Sequence, residues 1–413
     1  MRTLLRKSAV VLAHVAFVGF VAPILYLLEP FLRVRIASLK SDRIGHLATD
    51  VDLFMRRNQL NGPARRASHV FIAGNPANEQ LLRMWRRKLT IIESERLNFL
   101  WRRLEPIAAK TPFLQPMPMH SNEHYEFAMG DVSLSFTENE EVEGRRRLSD
   151  MGVGERDWFV CFHARDPGYI ATRTGFGQAQ YRPSYLDCSI DNYVPAMQWV
   201  AAQGGFAIRV GAGVDRPLPD LGPRAIDYAT RCRTDFMDIY LSAKCRFFVG
   251  STSGLFSIPL MFNVPIAIAN YCPYIFVTPG RGTLYMPKLL RRQSDKHIIP
   301  FPELRAAGLF DESMARRREL RDGKTYESLG LEWVDNEPQD VVGLCMDMVD
   351  QLEGKLTAPY ADQLQKMYRD LYVGPNASPH GGRLGPRFAL RHAHLIEPDS
   401  ANRNVTAVLR EPA

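Results

Sequence analysis

No G-x-G-x-x-G follows an early strand in this 413-residue sequence, no two cysteines are spaced C-x-x-C, and no His pair follows at zinc-finger spacing. The first absence disfavours a Rossmann oxidoreductase, and the others remove the usual zinc and dithiol chemistries. The six cysteines (Cys161, Cys188, Cys232, Cys245, Cys272, Cys345) fall partly inside apolar runs, as in WFVCF around Cys161. They read as buried free thiols of a reducing compartment. Internal repeats and low-complexity blocks are missing as well. So is a basic body. The net charge is +7, yet residues 1–40 carry six positive charges against Glu29 alone, leaving +2 for the other 373 residues. A nucleic-acid reader needs its basic patch on the folded body, so that partner class is set aside. With 46% hydrophobic and 23% charged residues, the chain is ordinary globular material. A wholly disordered chain, a collagen-like fibre and a polytopic membrane protein are thereby excluded.

Charge is also nearly missing from Ser8 to Leu32, where Glu29 is the single ionisable acid or strong base. The stretch is long enough for a bilayer core of about 30 Å. Arg2, Arg6 and Lys7 precede it, and Arg33 and Arg35 follow. A membrane anchor, spanning or lying in the interface, is the expected reading, with residues 1–33 as its extent. A signal peptide fits less well, because the run continues past Pro23 and no A-x-A site follows. A buried helix of the soluble fold is the remaining alternative. Basic residues on both flanks leave the orientation open.

Beyond the anchor, short apolar runs alternate with amphipathic stretches. Arg35–Leu39 reads as a strand, followed by a polar turn and a helix with Leu47, Val51 and Phe54 on one face. Val70–Ala73 and Thr90–Ile92 continue a βαβα rhythm, hence a parallel sheet. Residues 105–155 read as a connector with acceptor-side loops. The alternation restarts with strands at Trp158–Phe162, Phe206–Val210, Phe247–Gly250 and Val264–Ala269, and helices at Tyr193–Gln203 and Asp235–Ala243. Two such halves predict two Rossmann-like α/β domains facing a cleft, at 34–155 and 156–354. Residues 355–413 are expected to hold one helix and, from Gly374, a flexible tail. The sequons at Asn376 and Asn404 matter only in a secretory lumen.

Three segments could carry chemistry. In Phe248–Leu255, a buried strand runs into Ser251, Thr252, Ser253 and Gly254, where a helix is expected to open. Unpaired N–H groups, hydroxyls and a glycine suit a phosphate or diphosphate, although an ordinary N-cap has the same look. In Val160–Asp166, a strand end delivers His163, Arg165 and Asp166. Arg165 offers a planar fork for phosphate oxygens, and Asp166 could orient it or act as a base. A strand-end salt bridge is the plain alternative. In Asp42–Leu47, Gly45 would permit close approach and His46 could serve as a general base, with a helix-capping loop and a solvent-facing His as the equal alternative. Asp50-Val-Asp52 resembles a D-x-D metal motif, but on a helix the two side chains point roughly 200° apart and would not share a cation. Arg209 and Asp227 also lie near strand ends; Asp227 could accept from a ribose hydroxyl or base edge, although an exposed loop carboxylate is the plainer reading.

Together these segments resemble a family. The H-x-R-D at 163–166 looks like the H-x-R motif of fucosyltransferase-like GT-B glycosyltransferases, and DIYLSAKCRFFVGSTSGLFSIPLMFNVP (238–265) resembles their donor side. With RIGHLATDVD near the start and YRPSYLDCSIDNYVPAM at 181–197, the chain is similar, over about residues 35–350, to a bacterial family of glycosyltransferases. The resemblance implies a GT-B fold, an acceptor-binding first half and a nucleotide-sugar-binding second half. It places Arg165 on the donor diphosphate, with Ser251–Gly254 beside it. Where relatives often carry a second Arg after the first, this chain has Asp166, which weakens any claim of a GDP-fucose donor.

The implied function is transfer of a sugar from a nucleotide-sugar co-substrate to a glycan or lipid-linked acceptor in surface polysaccharide synthesis. No cofactor and no essential metal are expected, and the setting is the cytoplasmic side of the bacterial inner membrane. Arg165 would stabilise the leaving diphosphate. An inverting reaction would use His46, or else Asp166, as base. The rivals are a nucleotide-sugar epimerase and a membrane-tethered binding scaffold without turnover.

Overall fold

Alternating and β-branched residues in RVRIAS start the first sheet. In the computed structural model, which describes residues 10–62, 67–117, 124–168, 184–311, 313–372 and 377–397, β1 (Arg33–Ser38), β2 (Ala67–Ala73) and β3 (Thr90–Glu93) pair in parallel in that order. Each strand hands over to a helix, at Ile44–Leu60, Glu79–Arg86 and Glu95–Ala108. Asn78 and Ser94 cap the second and third by accepting the N–H of Leu81 and Leu97. Leu47, Val51 and Phe54 are buried as expected, but so are Ala48, Thr49, Asp50, Asp52 and Leu53, so this helix is enclosed on all sides and not on one face alone. On the other side of β1, Ile36 donates its N–H to the Phe113 carbonyl and accepts the N–H of Gln115.

The charge-poor N-terminal stretch is a helix, Val10–Leu28, with a π-helical turn at Phe17–Val21. Phe17 and Ala22 join a buried cluster with Ile72, Trp101, Leu104, Ala108 and Phe113. The helix therefore contributes to the core of the first sheet's unit.

A second sheet forms from β4 (Phe159–Phe162), β5 (Phe206–Arg209), β6 (Ala225–Ile226), β7 (Phe247–Gly250), β8 (Ile266–Tyr271), β9 (Leu284–Pro287) and β12 (Arg383–Leu384). All seven strands are parallel, in the order β12-β9-β8-β7-β4-β5-β6. The short strands FVCF, FAIR and FFVG are buried throughout, as expected where helices cover both faces of a parallel sheet. Met197 and Val200 from the Val194–Ala202 helix, and Leu344 and Met348 from the Pro338–Leu352 helix, complete this core. β10 (Leu289–Arg292) and β11 (Leu331–Val334) form a separate antiparallel pair. From the first strand β4, the chain fills positions to one side as far as β6, then returns to β7 on the other. This is the doubly wound order, and it reverses between β4 and β7.

The chain is thus α/β, with two compact units at Met1–Glu141 and Val142–Ala413, each built on a parallel sheet. The division falls inside the Glu138–Asp150 helix, whereas the sequence places a boundary near 155. Two expectations need correction. The helix expected to open at Ser251 begins at Ser257 and is only five residues long. The tail expected to be mobile from Gly374 is part of the fold between residues 377 and 397. It supplies edge strand β12 and the Pro386–Arg391 helix, with Phe388 and Leu390 buried and Arg387 paired to Asp347 (2.6 Å) and Asp350 (2.9 Å). A Pro/Gly-rich composition hid two apolar anchors and a well-placed cation. Arg2, Arg6, Lys7, Asn376 and Asn404 lie outside the described residues. All six cysteines are free thiols, and only Cys232 is exposed.

A buried asparagine pair fastens the end of β8. Asn270, at φ 55°, donates its backbone N–H to Asn336 Oδ1 (2.6 Å), and Asn336 returns its own N–H to Asn270 Oδ1 (2.7 Å). Asn336 Nδ2 also donates to the Pro287 carbonyl (2.9 Å), tying in the end of β9. Asn336→Ala would leave a buried N–H and a buried carbonyl unpaired. A loss of about 2–4 kcal/mol is expected, read as a lower urea midpoint with an unchanged slope.

Candidate functional site

A ligand site in an open parallel sheet forms outside the carboxyl ends of its strands, where the strand order reverses. Here that point lies between β4 and β7. The residues following β4 are His163, Arg165 and Asp166, and those following β7 are Ser251–Gly254. The structure joins the two turns directly, because the Arg165 N–H donates to Ser251 Oγ at 2.9 Å.

Arg165 is held at three points. Beyond the bond to Ser251, its carbonyl accepts the N–H of Cys188 (2.9 Å), and its Nε lies 3.3 Å from Asp187 Oδ1. Asp187 is in turn fixed by the Ser184 N–H on Oδ2 (2.8 Å) and by Lys288 Nζ on its carbonyl (2.7 Å). The guanidinium is about a quarter exposed, and among the described residues its Nη atoms meet no acceptor. A fork anchored at Nε and open at its tips suits a planar or tetrahedral oxyanion. The carboxylate orienting Arg165 is therefore Asp187 and not the sequence-adjacent Asp166. Nothing in the sequence signals a pairing across 22 positions.

The hydroxyl turn differs from its expected form. Ser251 is buried and used as the bracket to Arg165. Thr252 Oγ1 accepts the Cys272 N–H (3.1 Å) and donates to the Asn270 carbonyl (3.5 Å), bracketing the end of β8. Ser253 Oγ is enclosed and has no hydrogen-bond partner among the described residues, and Gly254 is exposed. Because the following helix starts at Ser257 and is short, the turn offers Ser253 and Gly254 rather than a helix dipole.

Three other candidates turn inward. Asp166 accepts the N–H groups of Gly168 (3.0 Å) and Asp215 (3.3 Å) and lies 3.6 Å from Arg209. Burial pushes its carboxyl up from the usual range, more than these donors pull it down. Arg209 is itself buried, between Asp166 and Asp227 (3.7 Å), and donates to the Arg216 carbonyl (2.5 Å). Asp227 accepts from the Leu218 N–H (2.9 Å) and the Thr230 hydroxyl (2.7 Å). These three form an internal ion network that shapes the 210–230 loops. Asp166 as a base would have to give up such partners, whereas Asp227, buried and bonded through Oδ2, keeps an Oδ1 that meets no hydrogen-bond partner among the described residues. His163 is also committed, with Nδ1 3.1 Å from the Val210 carbonyl. A carbonyl only accepts, so Nδ1 carries the hydrogen. Burial lowers the imidazole pKa to about 4.

In the first unit, Gly45 and His46 are the second and third residues of the Ile44–Leu60 helix, just past the β1 turn. That turn is locked by Ser41, whose buried Oγ donates to the Gly74 carbonyl (3.1 Å) and accepts the Gly74 N–H (3.0 Å) at the end of β2. Gly45 lends its carbonyl to Thr49 Oγ1 (2.7 Å). His46 Nδ1 lies 3.1 Å from Asp50 Oδ2, one helical turn on. A carboxylate orients the ring and puts the hydrogen on Nδ1, so Nε2 carries the basic lone pair. Asp50 and Asp52 take different partners, as the helix geometry requires: Asp52 pairs with buried Arg56 at 2.6 Å. The i, i+4 spacing to His46 is the signal that could have marked Asp50 as a site residue. Among the described residues, no group of three His, Cys, Asp or Glu is arranged to hold a metal ion.

No family model matches the chain, and no curated protein matches it in sequence. Among solved structures it is similar to the E. coli ADP-heptose LPS heptosyltransferase II, at 12% identity over 78% of this chain and all of that one, with a TM-score of 0.41. It is also similar to a glycosyl transferase family 9 protein from Veillonella parvula, at 12% identity over 62% of this chain and 86% of that one, with a TM-score of 0.40. At these scores the likeness carries no argument about chemistry, which rests on the residues themselves.

The His163 environment predicts a pH effect on stability. Its pKa of about 4 in the folded state lies below the ordinary 6.5. The unfolded chain therefore takes up a proton that the folded chain refuses, and stability falls as pH drops from about 6.5 towards 4. The full loss is of the order of 2–3 kcal/mol. His163→Gln should flatten that limb in urea titrations at pH 7.5, 6 and 5.

Proposed function

We propose that the protein is a glycosyltransferase of GT-B type that transfers a sugar from a nucleotide-sugar donor to a glycan or lipid-linked acceptor in bacterial surface polysaccharide synthesis. The observation that carries the proposal is the Arg165–Ser251 bond. It sets an anchored, open guanidinium beside a small hydroxyl and glycine turn at the point where the sheet order reverses. The motif order supports it, with H-x-R-D on β4 and S-T-S-G on β7.

In this reading the donor diphosphate lies against the Nη atoms of Arg165, with Ser253 and Gly254 as further donors. As the anomeric C–O bond breaks, its electron pair leaves on the diphosphate, and Arg165 stabilises the growing charge. Asp187 keeps the fork in place, so little reorganisation is needed at that moment. The acceptor oxygen forms the new bond to the anomeric carbon on the opposite face. Its proton passes to a general base, for which His46 is the candidate, with Asp50 as the positioning residue that holds its ring. The proposed displacement is inverting, with no metal in the step. The acidic neighbour at 166 is used by Arg209, which favours a donor other than GDP-fucose. The cytoplasmic side of the inner membrane is the proposed setting. An epimerase or a scaffold is separated from this reading by turnover alone, since each would bind the same diphosphate.

Two experiments test it. Thermal unfolding of the full chain is followed with UDP, GDP, ADP, CMP and dTDP. At tenfold excess over its dissociation constant, the cognate nucleotide should add about 1.4 kcal/mol. Arg165→Ala should abolish the shift and Asp187→Asn should reduce it, and no response to any nucleotide in folded protein would sink the donor assignment. With donor and acceptor identified, His46→Ala should lower kcat by about 10²–10⁴ while leaving the nucleotide shift intact. Asp50→Asn should lower kcat and move the acidic limb of its pH profile. A variant lacking His46 that turns over normally would remove it from the reaction.

A further inference from the structure

The Val10–Leu28 helix has two faces with different neighbours. Inward, Phe17 sits edge-on to Trp101 at 5.8 Å, and Tyr26 edge-on to Phe113 at 4.7 Å. Ala22 and Leu25 pack on the same cluster. The π turn at Phe17–Val21 winds more loosely than an α-helix, and this shift of register keeps Phe17 at its start and Ala22 and Leu25 after it on one side. Docking therefore runs along the helix and is not confined to one end. Outward, Leu12 (70% exposed), Val15, Phe20 (69%), Ile24, Leu27 (76%) and, just beyond, Phe31 (89%) make a continuous apolar surface. A monomer in water does not keep such a surface bare.

We infer that this helix is a monotopic anchor, lying in the plane of an anionic phospholipid surface with its outward face among the acyl chains, and that it does not cross the bilayer. At 19 residues it is about 28 Å long, enough to span by length alone. The docking forbids that. Phe17 and Ala22 flank the helix midpoint and join the buried cluster of the Glu95–Ala108 helix, Phe17 directly on Trp101, and that helix carries Arg96, Arg102, Arg103 and Glu105. A spanning helix would take those charges to the bilayer centre, where ionised side chains are costly.

Lipid is the occupant that the charges fit. Arg2, Arg6 and Lys7 precede the helix and Arg33 follows it, while Glu29, the one carboxylate of the segment, is closed by a two-pronged bond from Arg35 (2.7 and 3.0 Å). The sequence flanking the helix is therefore cationic, as binding to anionic headgroups requires. A protein partner would find almost nothing to hydrogen-bond. Within the helix only His14 and Tyr26 are polar: His14 meets the Val10 carbonyl (2.7 Å), and Tyr26, half-exposed, is edge-on to the Phe113 ring.

The test uses the full chain diluted from detergent into vesicles of phosphatidylethanolamine and phosphatidylglycerol (3:1), or of phosphatidylcholine alone. Flotation with the anionic vesicles and at least tenfold less with the neutral ones is expected. The outward double variant Phe20→Glu, Leu27→Glu should lose flotation at least tenfold with an unchanged unfolding midpoint. The inward variant Phe17→Ala should lower the midpoint and still float. Topology is read in inverted membrane vesicles from an expressing cell with a membrane-impermeant maleimide, using exposed Cys232 to report the body. The Arg6→Cys thiol should be labelled from the same side as Cys232. Labelling from opposite sides would mean a spanning helix and overturn the inference. So would a detergent-free soluble dimer that ignores both vesicle types, or full flotation of the outward double variant.

Discussion

The hydrogen bond from the Arg165 N–H to Ser251 Oγ is the constraint on which the second unit's site depends. Parallel pairing brings the ends of β4 and β7 side by side, but two adjacent turns could still splay. A buried serine spends its hydroxyl on closing them, and Thr252 does the same between the ends of β7 and β8. The first unit repeats the device. Ser41 makes a two-way bond to Gly74 across the ends of β1 and β2, immediately before the helix that carries His46. In both units the polar turn serves first as a bracket. Whatever it offers a ligand is what remains after that use, which is why Ser253 and Gly254 stand apart from Ser251 and Thr252.

The charges near the second sheet's carboxyl edge follow a matching logic. Buried ions need partners, since desolvation is costly and one uncompensated charge costs more than a pair contributes. Arg209 is closed by Asp166 and Asp227, and buried Lys288 by Asp335 at 2.7 Å. Arg165 is the cation held at its base and open at its tip. The selection of one cation from several rests on geometry, because all of them have similar chemistry and lie at similar strand-end positions.

The N-terminal helix has two sides of different surroundings. Its inner side is part of a protein core, where aromatic edges and small residues pack closely, and its outer side is as apolar as a lipid tail. No polar stripe divides the two faces. A helix apolar all round cannot be read as amphipathic, because the face that the protein covers carries the same residue types as the face it leaves bare. Removing this segment to obtain a soluble fragment would open the core at Trp101 and Phe113.

By itself the sequence determined the α/β alternation and the places where strands end in polar turns, and it singled out His46, Arg165 and Ser251–Gly254 as candidates at those turns. Local apolar runs and turn residues encode these directly. It also separated Asp50 from Asp52, because helical spacing alone sends them to different partners. It could not tell a cation facing inward from one facing outward, so Arg209 and Asp227 looked as available as Arg165. Nor could it find Asp187, since pairing across 22 residues depends on how the intervening chain returns to the sheet. The late helix start at Ser257, the ordered segment around Phe388 and the docked face of the first helix were likewise decided by tertiary structure. In each case a local preference was overridden by a partner distant in sequence: Arg165 for Ser251, Asp347 for Arg387, Trp101 for Phe17. Which partner a side chain meets is a property of the packed sheets, and composition and periodicity do not carry it.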